Sequence, residues 1–279
     1  MGQCCSSNEP IVKVALKFPN GTNAIQYDSD TFVPCNINEW LQQLYTDSWS
    51  NWVVYNDETK LLGNNDHKKG HCKGIVAWNK THVSWLIHSV PNFPREFTGT
   101  SISKLEPNEH IYGQSFLYLK MKYNESLLAS VLDQVQKMEA HIFMYNGVLP
   151  SFTKEKQVSH IELVDTITHV GKPPSVHIDI YHYLKQKYPG TWYVQTWKRG
   201  YPVAYAGVHD IQTMKHGSCV WSGSQDHSKW GVNEEGYVWI GDLNRMSSQE
   251  KRGGGGVILH HPALAKQMKE LLTTWVTGK

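Results

Sequence analysis

Two His-x-Lys tripeptides, His71-Cys-Lys73 and His227-Ser-Lys229, stand 156 residues apart in closely matching surroundings. Each is followed by a short apolar run, a turn containing Asn or Gly, a second run rich in Trp, and a polar segment carrying Asn. Those polar segments are His88-Ser-Val-Pro-Asn92 and Gly241-Asp-Leu-Asn-Arg245. A chain patterned in this way must build the same local unit twice. Successive side chains of a strand alternate faces, so His71 and Lys73 share one face, as do His227 and Lys229, and each pair can converge on one phosphate. One His-x-Lys by itself says little, because a solvated strand edge yields it as readily. Two copies with matching downstream strands favour a site.

Alternating strands and helices fill the rest of the chain. Residues 11–18 alternate as a strand that Pro19-Asn20-Gly21 ends. Residues 38–45 place Trp40, Leu41, Leu44 and Tyr45 on one helical face, and 52–55 follow as a buried strand. The polar stretch 57–70 reads as a surface loop, 72–78 and 82–90 as a strand pair, and 91–113 has no period. Next come a strand at 114–121, a helix at 125–138 and a strand at 141–145. The second half gives a helix at 176–188, strands at 192–197 and 219–221, the pair 230–232 and 237–240, and a closing amphipathic helix at 261–275. This order predicts an α/β sandwich. We expect one unit, 1–279, made of two related halves, about 1–145 and 146–279.

Hydrophobic residues at 40% and charged residues at 19% exclude a disordered chain. The formal charge is +2 with histidine neutral, yet fifteen histidines would carry it to +17 if all were protonated. Acid therefore favours a polyanionic partner. Nowhere does an apolar run reach the roughly 18 residues that span a membrane. The first residues, Met1 to Pro10, lack a secretory core; Met1-Gly2 with Ser6 formally matches an acylation signal that Cys4 and Cys5 would extend. Five cysteines form no C-x-x-C pair, which argues against a structural zinc and allows at most two disulfides. Asn20, Asn79 and Asn124 head glycosylation sequons.

Gly70-His-Cys-Lys-Gly74, the run from Leu86 to Pro94 (LIHSVPNFP), Asp226-His-Ser-Lys-Trp230, Gly241 to Arg245 and Lys251 to Gly255 (KRGGG) together closely resemble the motifs of the deoxyribonuclease II family. Weaker matches at Tyr55 to Glu58 (YNDE) and Tyr112 to Ser115 (YGQS) extend the resemblance from about residue 11 to the closing helix. One departure is Gly231, which stands where animal members carry a cysteine, so their disulfide pattern is not carried over. The resemblance implies a phospholipase D-like sandwich, mixed sheets flanked by helices, with the active site at a pseudo-two-fold interface between halves. It also implies a lysosomal or secreted protein, and it leaves a homodimer open.

By the same resemblance, one histidine attacks phosphorus to give a phosphohistidine. The other protonates the leaving 5′ oxygen and then activates water, so the ends are 3′-phosphate and 5′-hydroxyl. A neutral nucleophile beside a protonated acid is easiest to populate in acid. Lys73 and Lys229 would neutralise the nonbridging oxygens, while Asn244 and Asn92 would donate hydrogen bonds to them or orient the imidazoles. No metal or other cofactor is then required. The symmetric pair leaves the nucleophile open, and superfamily analogy favours His71. DNA is the expected partner, held mainly through phosphates and so with little base preference. Trp78, Trp85, Trp230 and Trp239 are either core or base-stacking platforms, and Gly253 to Gly256 either contact phosphate or tuck beneath the site. Three rivals are a metal-dependent hydrolase using His260 and His261, a catalytically silent DNA-binding paralogue, and a phosphodiesterase with another substrate. The first lacks an H-E-x-x-H or a carboxylate cluster at ligand spacing.

Overall fold

The computed structural model describes residues 9–61, 69–147, 149, 156–197 and 203–277. The acylation expectation, on Gly2, Cys4 and Cys5, lies outside the described residues.

Strands β1 (Ile11–Lys17), β2 (Asn23–Asp28) and β3 (Thr31–Asn36) lead into helix α1 (Ile37–Leu44). Then come β4 (Asn51–Asn56), β5 (Lys73–Trp78), β6 (His82–His88), β7 (Gln114–Lys122), helix α2 (Glu125–Lys137) and β8 (Ile142–Asn146). These strands form one sheet in the order β3-β2-β1-β7-β6-β5-β4-β8, antiparallel throughout. The chain continues through β9 (Ser159–Val164), β10 (Ile167–Lys172), helix α3 (Ile180–Lys187), β11 (Trp192–Gln195), β12 (Val208–His216) and β13 (Cys219–Ser222). It ends with β14 (Trp230–Asn233), β15 (Tyr237–Gly241), β16 (Gly254–His260), helix α4 (Pro262–Glu270) and β17 (Leu272–Val276). The second sheet runs β13-β12-β11-β14-β15-β16-β10-β9, with β17 on β12, and its one parallel pair is β11 with β12.

Both sheets share a five-strand motif: β4-β5-β6-β7-β1 in the first and β11-β14-β15-β16-β10 in the second, all antiparallel. The registers correspond. Gly74 faces Tyr55 and Ile87 as Trp230 faces Gln195 and Ile240. Lys17 faces Gln114 as Lys172 faces Gly254. Helices α1 and α3 precede β4 and β11, and α2 and α4 follow β7 and β16. Each His-x-Lys therefore enters the same strand of its motif, β5 or β14.

The period of two along the strands sorts side chains into layers. Val76, Trp85, Ile87, Leu117 and Leu119 of the first sheet join Trp230, Val232, Val238, Ile240 and Val257 of the second in one core, which α2 and α4 also supply. The opposite faces send Ile75, Leu86 and Phe116 against α1, and Trp239 and Ile258 against α3. Trp85, Trp230 and Trp239 are at most 1% exposed, and half-buried Trp78 packs on the shared core. Base stacking on the three buried rings is thereby ruled out.

Several expected elements are corrected. The closing helix stops at Glu270, because Thr273, Thr274 and Val276 favour extended backbone and the free edge of β12 gives them a ladder as β17. The helix expected at 176–188 begins only at Ile180, where the Asp179 carboxylate caps it. Of Gly253 to Gly256, the last three open strand β16 (Gly254–His260), paired to β10 and β15, and Gly253 stands just before it. The stretch 57–70 is only partly a surface loop, since Asp57 is fully buried.

Candidate active site

The segment before β5 carries His71, whose amide donates to Gly253 O at 2.8 Å. Its Nδ1 lies 2.8 Å from the Asp242 carbonyl oxygen. A carbonyl only accepts, so the neutral ring carries its proton on Nδ1 and leaves the Nε2 lone pair bare. Burial, aided by the Lys73 ammonium, lowers the His71 pKa to about 3. Lys73 Nζ lies 2.8 Å from Asp57 Oδ1 and 3.0 Å from Glu58 Oε2. Burial alone would depress this lysine, but the two carboxylates outweigh it and hold its pKa above the ordinary lysine value. Asp57 also accepts from Arg252 Nη2 at 2.9 Å, and Arg252 donates in turn to the Lys69 carbonyl.

The second pair is held in the same way from the opposite half. The His227 amide donates to Gly113 O at 2.9 Å, and the Lys229 amide to Ser115 Oγ at 3.1 Å. Gly113 and Gly253 hold matching places, just before β7 and β16. A Cβ on Gly113 would lie 2.6 Å from Asp226 Cγ, and one on Gly253 2.0 Å from Met138 O, so neither place admits a side chain. The His227 ring stacks on Tyr112 at 4.2 Å and 7°, with Trp197 edge-on at 3.9 Å. Burial, together with the nearby Lys73 charge, lowers Lys229 to about 8. Lys229 in turn bears on His71 and Glu58, so the two pairs adjoin.

Both candidate asparagines are buried, yet their hydrogen bonds differ. Asn244 Oδ1 accepts from the Trp197 amide at 3.0 Å, which places it behind the His227 aromatic wall. Asn92, in a left-handed turn at φ 49°, accepts from the Lys60 amide at 3.0 Å and presents an Nδ2 that meets no partner among the described residues. Counted on from the strand register, Asn244 matches Pro91 and Asn92 matches Arg245. The polar segments are equivalent in place while their asparagines are not.

Sequence reasoning assigned no role to Asp57, Glu58, Tyr112, Trp197, Asp242, Arg252 or His88. The YNDE and YGQS runs were the available signals for the first three. His88 is one residue past Ile87 and so continues the ladder opposite Lys73. Its Nδ1 accepts from the Val90 amide at 3.2 Å, so Nε2 carries the proton, without a partner among the described residues. Burial, with Lys73 and Lys229 nearby, keeps the ring neutral well below the usual histidine range. Asp57, Glu58 and His71 also bring three potential metal-ligand atoms within 4.8 Å of one another, a cluster that sequence spacing did not reveal. Within it the Lys73 ammonium already bridges the two carboxylates, where a cation would sit. His260, the other metal candidate, lies at the exposed end of β16, and His261 caps α4.

The repeated strand motif brings two histidines and two buried lysines into adjoining places, groups of the kinds that phosphoryl-transfer sites use. Residues 32–277 match the profile of the deoxyribonuclease II family, and the chain belongs to that family. It is thereby an enzyme of the nuclease class. Plancitoxin-1 of Acanthaster planci is 30% identical over 235 residues, covering 71% of this chain and 62% of that one. Cell-death-related nuclease 7 of Caenorhabditis elegans is 26% identical over 261 residues, 81% of this chain and 69% of its own. Human deoxyribonuclease-2-beta is 28% identical over 260 residues, 78% of this chain and 70% of its own.

Proposed function

We propose that the protein is an acid endodeoxyribonuclease that hydrolyses DNA without metal through a phosphohistidine. The observation that carries this reading is His71: a bare Nε2, with Nδ1–H tied to a carbonyl, on a ring that stays neutral down to about pH 3. Such a group remains a nucleophile in the acid that protonates a second histidine. Nε2 of His71 attacks phosphorus, the P–O5′ bond breaks, and His227 supplies the proton to the departing oxygen. His227 then takes a proton from water, whose oxygen displaces His71 and leaves a 3′-phosphate. Lys73 and Lys229 offset charge on the nonbridging oxygens through their ammonium charge and N–H groups. Asn92 Nδ2, without a partner among the described residues, is a donor for the same oxygens, whereas Asn244 acts from behind by fixing Trp197. The chain is then a phospholipase D-like sandwich of two halves, 1–145 and 146–279, and works in an acidic lysosomal or secreted setting. Among the described residues no helix is long and apolar enough to cross a membrane.

Plasmid DNA incubated in excess chelator at about pH 5 and pH 7.5 tests the reading. We expect faster cutting at the lower pH, 3′-phosphate ends, and a loss of roughly 10²-fold or more in His71→Ala and His227→Ala. Cutting that appears only with added metal would sink it.

A further inference from the structure

Two lysines outside the site, Lys17 and Lys172, hold the same place in the repeated motif, as the last residues of β1 and β10. Both are at most 1% exposed, and neither ammonium forms an ion pair among the described residues. Each instead spends all three donors on backbone carbonyls. Lys17 Nζ donates to Phe18 O at 2.8 Å, Gly21 O at 2.9 Å and His110 O at 2.9 Å. Lys172 Nζ donates to Val176 O at 2.8 Å, Glu250 O at 2.8 Å and Arg252 O at 2.6 Å. The cages correspond atom for atom at two points. Gly21 and Val176 each lie four residues after the lysine, and His110 and Glu250 each lie three residues before the glycine that enters β7 or β16.

Burying an ammonium among carbonyls is costly compared with an apolar side chain, so a cage built twice at one register calls for a reason. The segments held supply it. Residues 110–113 end at Gly113, whose carbonyl receives the His227 amide, and they carry Tyr112, which stacks on that ring. Residues 250–253 end at Gly253, whose carbonyl receives the His71 amide, and they carry Arg252, which holds Asp57 beside Lys73. We propose that Lys17 and Lys172 are a duplicated pair of positioning residues, each fixing the strand-entry segment that aims the opposite half's histidine: Lys17 for His227, Lys172 for His71. Neither lysine touches substrate; each acts through three residues of backbone. The kinetic consequence rests on the roles proposed above for the two histidines, but the pairing does not.

Histidine-labelled protein, with the His71 and His227 ring signals assigned from His71→Ala and His227→Ala, reads the pairing directly by NMR. In Lys17→Met we expect the His227 resonances to shift and those of His71 to stay, with the reverse in Lys172→Met. Signals that do not move, or that move together in both variants, would overturn the proposal. Should the methionine variants fail to fold, Lys17→Gln and Lys172→Gln keep two donors each and give the same comparison. Activity supplies the second arm, with DNA set against the p-nitrophenyl ester of thymidine 3′-phosphate, whose phenolate leaves without a proton. Misplacing the acid should cost Lys17→Met about 10²-fold in kcat on DNA and little in the first-turnover burst of nitrophenolate, which comes before His227 is needed as base, while Lys172→Met loses about as much on both. If His227→Ala loses the first-turnover burst of nitrophenolate as steeply as it loses DNA cleavage, the acid role of His227 fails, and the NMR pairing still decides the positioning.

Discussion

Asp57 and Trp197 occupy matching places, two residues past the strand pairings of Tyr55 with Gly74 and Gln195 with Trp230. One is a buried carboxylate that pins Lys73 and Arg252; the other is an indole set edge-on to His227. A duplicated scaffold has thus given its two histidines different surroundings, one charged and one aromatic, and that asymmetry is what would allow a nucleophile and an acid to coexist. Burial works against the Asp57 carboxylate, but Lys73 first, then His71 and Arg252, hold its pKa below the usual value. Asp57→Asn leaves Lys73 with Glu58 as its one carboxylate and leaves Arg252 with the Lys69 carbonyl but without the carboxylate. We expect a stability loss of about 3 kcal/mol by denaturant titration, since breaking a buried pair exposes the uncompensated partner, together with at least a tenfold fall in kcat. A variant of unchanged midpoint and rate would show that the ion pair is not what orders Lys73.

At the level of elements, the site depends on how β7 and β16 begin. Each strand enters through a glycine whose carbonyl crosses to the other half's histidine, and close approach rather than turn geometry requires the glycine. In Gly253→Ala the added methyl meets the Met138 carbonyl, which is backbone and yields only if α2 shifts. We expect the protein to fold with reduced stability and to lose activity on DNA by about 10²-fold, because displacement of the reacting groups by an ångström costs that much. Circular dichroism and initial rates measured together check this; full activity would mean that the His71 amide contact is dispensable. Packing at the same depth sets a contrast. Trp239 is fully buried against α3, and Trp239→Ala should cost about 3 to 5 kcal/mol without changing which DNA ends are made.

Across the whole molecule, acid acts on two opposed sets of buried groups. His71 and His169, each lowered to about 3, and His88, also lowered well below the ordinary histidine value by burial, stay neutral in the fold but gain protons when unfolded, so they withdraw stability as pH falls below about 6.5. Glu109, raised to about 7, and Asp179, raised to about 6, work the other way, as do Asp226 and Asp242, because the fold binds protons that the unfolded chain releases. Their contribution grows as pH falls toward the ordinary carboxylate value near 4 and then stops growing. Asp57 and Glu58, held low by Lys73, lose stabilisation in the same range below 4. We therefore expect a nearly level Tm between pH 7 and 5 and a steep fall below about pH 4. A Tm dropping steadily from pH 7 would mean that the histidines alone set the acid response.

Read along the chain, the sequence determined the duplication, the two His-Lys pairs and the strands that present them, because the period of two and the turn residues are local properties. The α/β alternation and the tryptophan-rich core strands were legible for the same reason. Outlying strands such as β2, β3 and β17 were not, since weakly patterned Thr, Asn and Asp segments become strands only when a neighbour offers a ladder. The residues that complete the site were also out of reach. Asp242 and Gly253 bear on His71 and Lys73, and Arg252 on Asp57, from about 170 to 195 positions away, and Tyr112 meets His227 from the segment before β7. Only the tertiary structure could decide those contacts, because burial and cross-half hydrogen bonding are set by how the two sheets meet. The same closure turned a polar run, Asp57 and Glu58, from a solvated loop into the anionic clamp on Lys73.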